Sequence, residues 1–220
     1  EAMRISHETI YKSLFVESRG VLARALRTHL RSGRPMRTSV HNVVTGQWRS
    51  QAKDARSIAE RPPDVAGRVV PGHWEGDLLL GRHGTQLATV VERMTRFTVL
   101  VQLSGRDMAT VTAGLSREMT KLATALRRSL TWDRGMELAD HKTVTANTGL
   151  DVYFADPRSP WQRGTNENTN RLLRQYFPKG TSMGALTQED LDVVAAKLNS
   201  RPRKTLAFDT PAERLDRLLR

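Results

Sequence analysis

Glu167 stands in the run "SPWQRGTNENTNRLLRQYFPKG" (residues 159–180), among cations and amides that suit a phosphate-binding surface. A lone carboxylate there would repel a bound polyanion. Two other acids offer a reason for it: Asp77 lies inside the apolar word "HWEGDLLL", and Asp133 closes "SLTWD". Three carboxylates brought together repel one another strongly unless a cation sits among them. Oxygen donors with no His or Cys partner suit Mg²⁺ or Mn²⁺. Two such ions, about 3.5–4 Å apart, can clamp the attacking and leaving oxygens of an in-line phosphoryl transfer. Metal would reverse the local sign at Glu167 and let it stand beside DNA. Spacing alone leaves a second reading open, an ordinary surface helix with one acid. A chain with 23 acids contains many such sets.

The elements that would position these acids can be read from periodicity. "HWEGDLLLG", "TQLATVVER" and "RFTVLVQLS" are strand candidates, the last two joined as a hairpin through "ERMTR". Val111, Leu115, Met119, Leu122 and Leu126 recur at helical spacing. "SLTWD" then reads as a buried strand, "ELADHKTVTANTG" as a short helix closed by Gly149, and "LDVYFAD" as a further strand. A helix follows from about Gly164 to Phe177, then one over about 188–199 that Pro202 ends, then "TPAERLDRLLR". Three antiparallel-looking strands followed by alternating strands and helices make a mixed α/β sheet with helices packed on it. Along the first strand, Asp77 shares a face with Glu75 and His73, opposite Trp74 and Leu78. Asp133 likewise points away from Trp132. If the strand after the first helix neighbours the first strand, Asp77 and Asp133 meet. At about 100° per residue, Glu167, Asn170, Arg171 and Arg174 share one helix face, and Leu172, Leu173 and Tyr176 the other. The apolar face can pack on the sheet while Glu167 is lowered towards the two aspartates.

Composition narrows the class of partner. The 220 residues are 38% hydrophobic, enough for one sizeable core, and carry a net charge of +12. Such a basic balance favours nucleic acid. Between Ser18 and Lys53 there is no acid, while Arg24, Arg27 and Arg31 follow one another through a leucine-rich helical pattern. Phosphate contact is the expectation there, with a solvated connector as the alternative. The sequence has no apolar run near the roughly 20 residues of a membrane span, and its start lacks the features of a secretory signal. Zero cysteines exclude a disulfide framework, so a reducing cytoplasm is the expected compartment, with nucleoid association through DNA. The organisation expected is a helical segment over 1–35, a basic linker over 36–68, a catalytic core over 69–200 and a tail over 201–220.

The words around the acids carry a resemblance. "PGHWEGDLLLG", "LTWDRGMELADHK", "PWQRGTNENTNRLLRQYFPKG" and "LNSRPRKTLAFDTPAERL" resemble, in order, signature segments of the IS30 family of insertion-sequence transposases. "ISHETIYKSLF", "RGVLARALRTHLR" and "ERPPDV" resemble the segments that precede that family's core. The resemblance implies an RNase H-like, retroviral-integrase type of catalytic core with a five-stranded mixed sheet. It implies that Asp77, Asp133 and Glu167 are a DDE triad holding two Mg²⁺ or Mn²⁺ ions; the 33 residues between Asp133 and Glu167 match the family's spacing. It implies cleavage at element ends and strand transfer into target DNA, by a homo-oligomer assembled on DNA. A metal-dependent nuclease on the same fold and an inactive DNA-binding remnant are the alternatives. The family's helix-turn-helix region is expected to be mostly missing, so the chain reads as N-terminally truncated. Arg158 and Arg171 stand where His and Gly are expected.

Around the triad, Trp161, Gln162, Arg163, Asn170, Arg171, Arg174 and Lys179 are the expected DNA contacts, by stacking or through phosphate. His73 could orient Asp77 or a phosphate, but a satisfied histidine at the core edge is the expectation. His141 also reads as structural. Tyr11, Tyr153 and Tyr176 sit in apolar patterns, which disfavours a tyrosine nucleophile.

Overall fold

The computed structural model describes residues 54–157 and 159–219; the helical segment expected over 1–35 lies outside them. Five strands form one mixed sheet: β1 (His73–Leu80), β2 (Gln86–Glu92), β3 (Thr98–Gln102), β4 (Ser129–Trp132) and β5 (Asp151–Phe154). Their order is β3-β2-β1-β4-β5. The first three pair antiparallel, and β4 and β5 add in parallel to the free edge of β1. Helices cover both faces: α1 (Met108–Met119), α2 (His141–Thr148), α3 (Gly164–Leu173), α4 (Gln188–Asn199) and α5 (Pro211–Leu219). This is the mixed five-stranded sheet with flanking helices expected from the sequence.

Strand alternation splits the core in two. Trp74, Ala88, Val90, Val101, Leu130, Trp132, Val152 and Phe154 pack with Val111, Leu115 and Met119 of α1 and Val144 of α2. On the opposite face Leu79, Leu87 and Leu100 meet Leu172 and Leu173 of α3 and Leu191, Ala195 and Leu198 of α4. Gly76 fits the first face because the Trp132 ring lies across β1. A Cβ at Gly76 would stand 2.1 Å from that ring.

Helix ends follow local chemistry. Asp107 caps α1, accepting from the Thr110 N–H at 2.8 Å, and Gly149 ends α2 at φ 76°, where a Cβ would be strained. The helix expected to continue through Leu126 stops at Met119. The chain must turn back to begin β4, so Leu126 is buried from a separate 3₁₀ turn whose carbonyl accepts from the Trp74 indole at 2.7 Å. The helix expected to reach Phe177 ends at Leu173 and tightens into 3₁₀-type turns before Pro178. Residues 54–68, read from sequence as the end of the linker, pack on the sheet. Phe154 N–H donates to the Arg56 carbonyl at 2.8 Å, and the Arg56 guanidinium lies 4.6 Å above the Tyr153 ring.

Candidate active site

The parallel register runs as far as Glu75 of β1 and Thr131 of β4; Asp77 stands two residues further along β1, and Asp133 two residues further along the chain, just past the end of β4. A guanidinium stands between the two acids. Arg163, in the turn before α3, places Nη1 3.3 Å from Asp77 Oδ1 and Nη2 3.6 Å from Asp133 Oδ2. Its Nη1 also donates to the Gly76 carbonyl at 3.2 Å, and its side chain is 12% exposed. Asp77 is held from two further sides. Its Oδ1 accepts from the Leu78 N–H at 2.9 Å, and its Oδ2 accepts from Asn170 Nδ2 of α3 at 3.1 Å. Asp133 Oδ1 accepts from the Gly135 N–H at 3.1 Å. Burial raises the Asp77 carboxyl above the usual carboxylate range; Arg163 opposes the shift and the Asp133 charge adds to it.

Helix α3 is fixed beside this pair by groups the sequence reading did not assign. Glu75 is fully buried, and its Oε2 accepts from the N–H groups of Thr165 and Asn166, at 2.9 and 3.1 Å, in the first turn of α3. Its Oε1 pairs with the buried Arg93 guanidinium. Asn166, also fully buried, donates to the carbonyls of Glu75 and Thr89 at 2.8 and 2.9 Å and so ties the helix to β1 and β2. Alternation puts Glu75 on the face of Asp77, which was the available signal. An anionic side chain at a helix N-terminus satisfies free N–H groups and meets the positive end of the dipole.

The expected site residues divide into those brought together and those held elsewhere. Asp77, Asp133, Arg163 and Asn170 form one cluster. Glu167 lies one turn from Asn170 on the same helix, with Oε2 3.9 Å from Arg171 Nη2, and does not join the aspartates. Trp161 is 74% exposed beside the cluster's turn. Gln162 faces Asp156, donating to its carboxylate at 2.9 Å and accepting from its N–H at 2.7 Å. Arg174 donates to the Leu80 carbonyl at 3.1 Å, and burial lowers its pKa. Lys179 is exposed. Arg24, Arg27, Arg31 and Arg158 lie outside the described residues. His73 does not orient Asp77: its Nδ1 meets Ser129 Oγ at 2.8 Å in a buried pair. His141 is likewise built into the fold, with Nδ1 3.2 Å from the Ala139 carbonyl and its ring edge-on to Phe154.

The donor set can be tested against the expected divalent ion. Asp77 and Asp133 are hard oxygen ligands, and the Arg163 guanidinium already stands between them as a cation. Asn170 Oδ1 is buried without a hydrogen-bond partner, a further oxygen next to Asp77. These residues fit one Mg²⁺ or Mn²⁺ between the aspartates. The full three-acid set is not assembled: among the described residues no group of three His, Cys, Asp or Glu side chains stands close enough to hold a metal.

Known proteins resemble the chain in sequence over nearly all of its length. The integrase core domain family matches residues 68–160. The transposase InsI of insertion sequence element IS30A from Escherichia coli strain K12 is 48% identical over 218 residues, covering 99% of this chain and 57% of that protein. The transposase of element IS1086 from Cupriavidus metallidurans is 46% identical over 219 residues, covering 99% of this chain and 64% of its own length. The chain thus spans less than two thirds of the curated relatives it matches. Among solved structures, the catalytic core domain of BIV integrase aligns with a TM-score of 0.47 at 16% identity, over 64% of this chain and 91% of that one. Among the described residues no helix is long and apolar enough to cross a membrane. With near-half identity along 99% of its length and an integrase core domain matched over residues 68–160, the chain is similar to the transposases of the IS30A and IS1086 insertion sequence elements.

Proposed function

We propose that this chain performs metal-dependent DNA strand cleavage and strand transfer, the chemistry that moves an insertion sequence, with Asp77, Asp133 and Glu167 as the metal-holding acids. One observation carries the reading. Asp77 in β1 and Asp133 just past the end of its parallel neighbour β4 lie on either side of one guanidinium, with the helix bearing Glu167 fixed beside them. When bound, two Mg²⁺ or Mn²⁺ ions supply activation of the attacking water or 3′-OH and charge neutralisation at the leaving 3′ oxygen. The chain's own groups set the geometry. Asn170 holds the Asp77 carboxylate by one oxygen, and Glu75 and Asn166 keep α3 at a fixed distance from β1. Exposed Trp161 offers a stacking face to a base, while Arg171 and Lys179 are exposed cations for phosphate. Arg24, Arg27 and Arg31 add sequence-independent affinity for element ends and target DNA, on which copies of the chain assemble. The action on DNA fits a cytoplasmic, nucleoid-associated protein.

The test is an incubation of the chain with a pre-cut end, target DNA and Mn²⁺, resolving joined from hydrolysed products. Joined strands are expected. Hydrolysis without joining would assign a metal-dependent nuclease instead, and binding without either product would assign a DNA-binding remnant.

A further inference from the structure

In its packed turn Arg163 faces carboxylates instead of reaching outwards. Its guanidinium is 12% exposed and is engaged on three sides, by Asp77, Asp133 and the Gly76 carbonyl. Two carboxylates that share one small site need a positive charge to remain ionised together. The planar fork of an arginine can serve both at once, which a point-charge lysine cannot. A divalent ion seeking the same two aspartates meets a like charge already in place, and the oxygens it needs are turned towards that charge.

We infer that Arg163 is a resident counter-cation of the Asp77–Asp133 pair, and that it must leave before a divalent ion can bind there. This rests on the functional reading above, in which the pair binds metal. Arg163 follows two residues after exposed Trp161, in the short turn that leads into α3, so a released guanidinium emerges beside the proposed DNA contact. DNA phosphate there would give it a new partner. Metal and DNA would then each favour the other's binding, because both select the arrangement in which Arg163 has left the pair. The protein would keep its acids neutralised when free and take up metal most strongly once DNA is present.

The experiment titrates Mn²⁺ into the intact chain and follows free Mn²⁺ by electron paramagnetic resonance. Wild type, Arg163→Gln, Arg163→Lys and Asp77→Asn are compared, each with and without a duplex carrying an element end. Without DNA, Arg163→Gln should bind Mn²⁺ tighter than wild type by about tenfold or more, since a unit charge next to the site is removed. Arg163→Lys should fall between the two. DNA should tighten Mn²⁺ binding by wild type several-fold and that of Arg163→Gln by much less. Equal or weaker Mn²⁺ binding by both Arg163 variants would overturn the inference while leaving the metal site standing. If Asp77→Asn binds Mn²⁺ as wild type does, the metal reading falls, and this inference falls with it. Thermal melts of each variant without metal identify one that fails to fold. If Arg163→Gln is lost in that way, the Lys variant decides: binding no tighter than wild type overturns the proposal.

Discussion

Glu75→Gln should be among the costliest single-atom changes in the molecule, although Glu75 is no candidate for chemistry. The substitution keeps shape and one acceptor oxygen but removes the charge. Arg93, whose side chain is 7% exposed, then stays buried without its ion-pair partner. The N–H groups of Thr165 and Asn166, now 2.9 and 3.1 Å from a carboxylate oxygen, lose a charged acceptor at the start of α3. Removing one member of a buried pair typically costs about 3–5 kcal/mol, most of it the uncompensated charge left behind. For a chain of this size that corresponds to a fall in Tm of roughly 6–20 °C. Urea unfolding followed by circular dichroism measures it directly. Arg93→Met added to Glu75→Gln should recover part of the loss, because an apolar pair replaces a stranded cation. A cost below about 1 kcal/mol for Glu75→Gln alone would refute the claim that this carboxylate anchors α3.

Two further outcomes follow from the same geometry. Gly76→Ala should destabilise the fold by about 1–3 kcal/mol in chemical denaturation, because its Cβ would meet the Trp132 ring at 2.1 Å and the buried ring has nowhere to move. For His73, burial holds the imidazole below its ordinary pKa of about 6.5, so the unfolded chain takes up the proton first. Its contribution is therefore fully present above that value and is lost as pH falls through the folded value. Asp64 acts against the depression, while Arg128, Arg93 and Arg61 deepen it. Stability measured from pH 8 to pH 5 should decline less steeply in His73→Gln than in wild type, and equal slopes would show that another group sets the decline.

Periodicity made most of the fold legible. Alternation in "HWEGDLLL" told which side of β1 carries Asp77, and the run from Leu191 to Leu198 gave α4 its bounds, Gln188–Asn199. The meeting of Asp77 and Asp133 needed one further step, the parallel pairing of β4 with β1, which is common where a helix separates the two strands. What stayed hidden depends on contacts between elements. The Glu75 link to α3 spans 90 residues of sequence, and no local pattern announces it. Arg163 read as a phosphate ligand because basic residues near a candidate site usually are; only the packed turn shows it between two acids. The early end of α1 at Met119 was hidden for the same reason, since Leu122 and Leu126 keep helical spacing while the chain turns back towards β4.

The central claim, that Asp77, Asp133 and Glu167 hold the metal for strand transfer, is tested most directly at Glu167. Glu167→Gln keeps size and shape and removes one ligand charge on a half-exposed helix face. Wild type and variant are compared on a pre-cut end with Mn²⁺, scoring DNA binding and strand transfer separately. The account predicts binding equal to wild type or slightly better, since a carboxylate near phosphate is gone. It predicts strand transfer lower by several orders of magnitude, because a clamp that has lost a ligand cannot stabilise both the attacking and leaving oxygens. Equal strand transfer by the two proteins would contradict the assignment of Glu167 and, with it, the three-acid site.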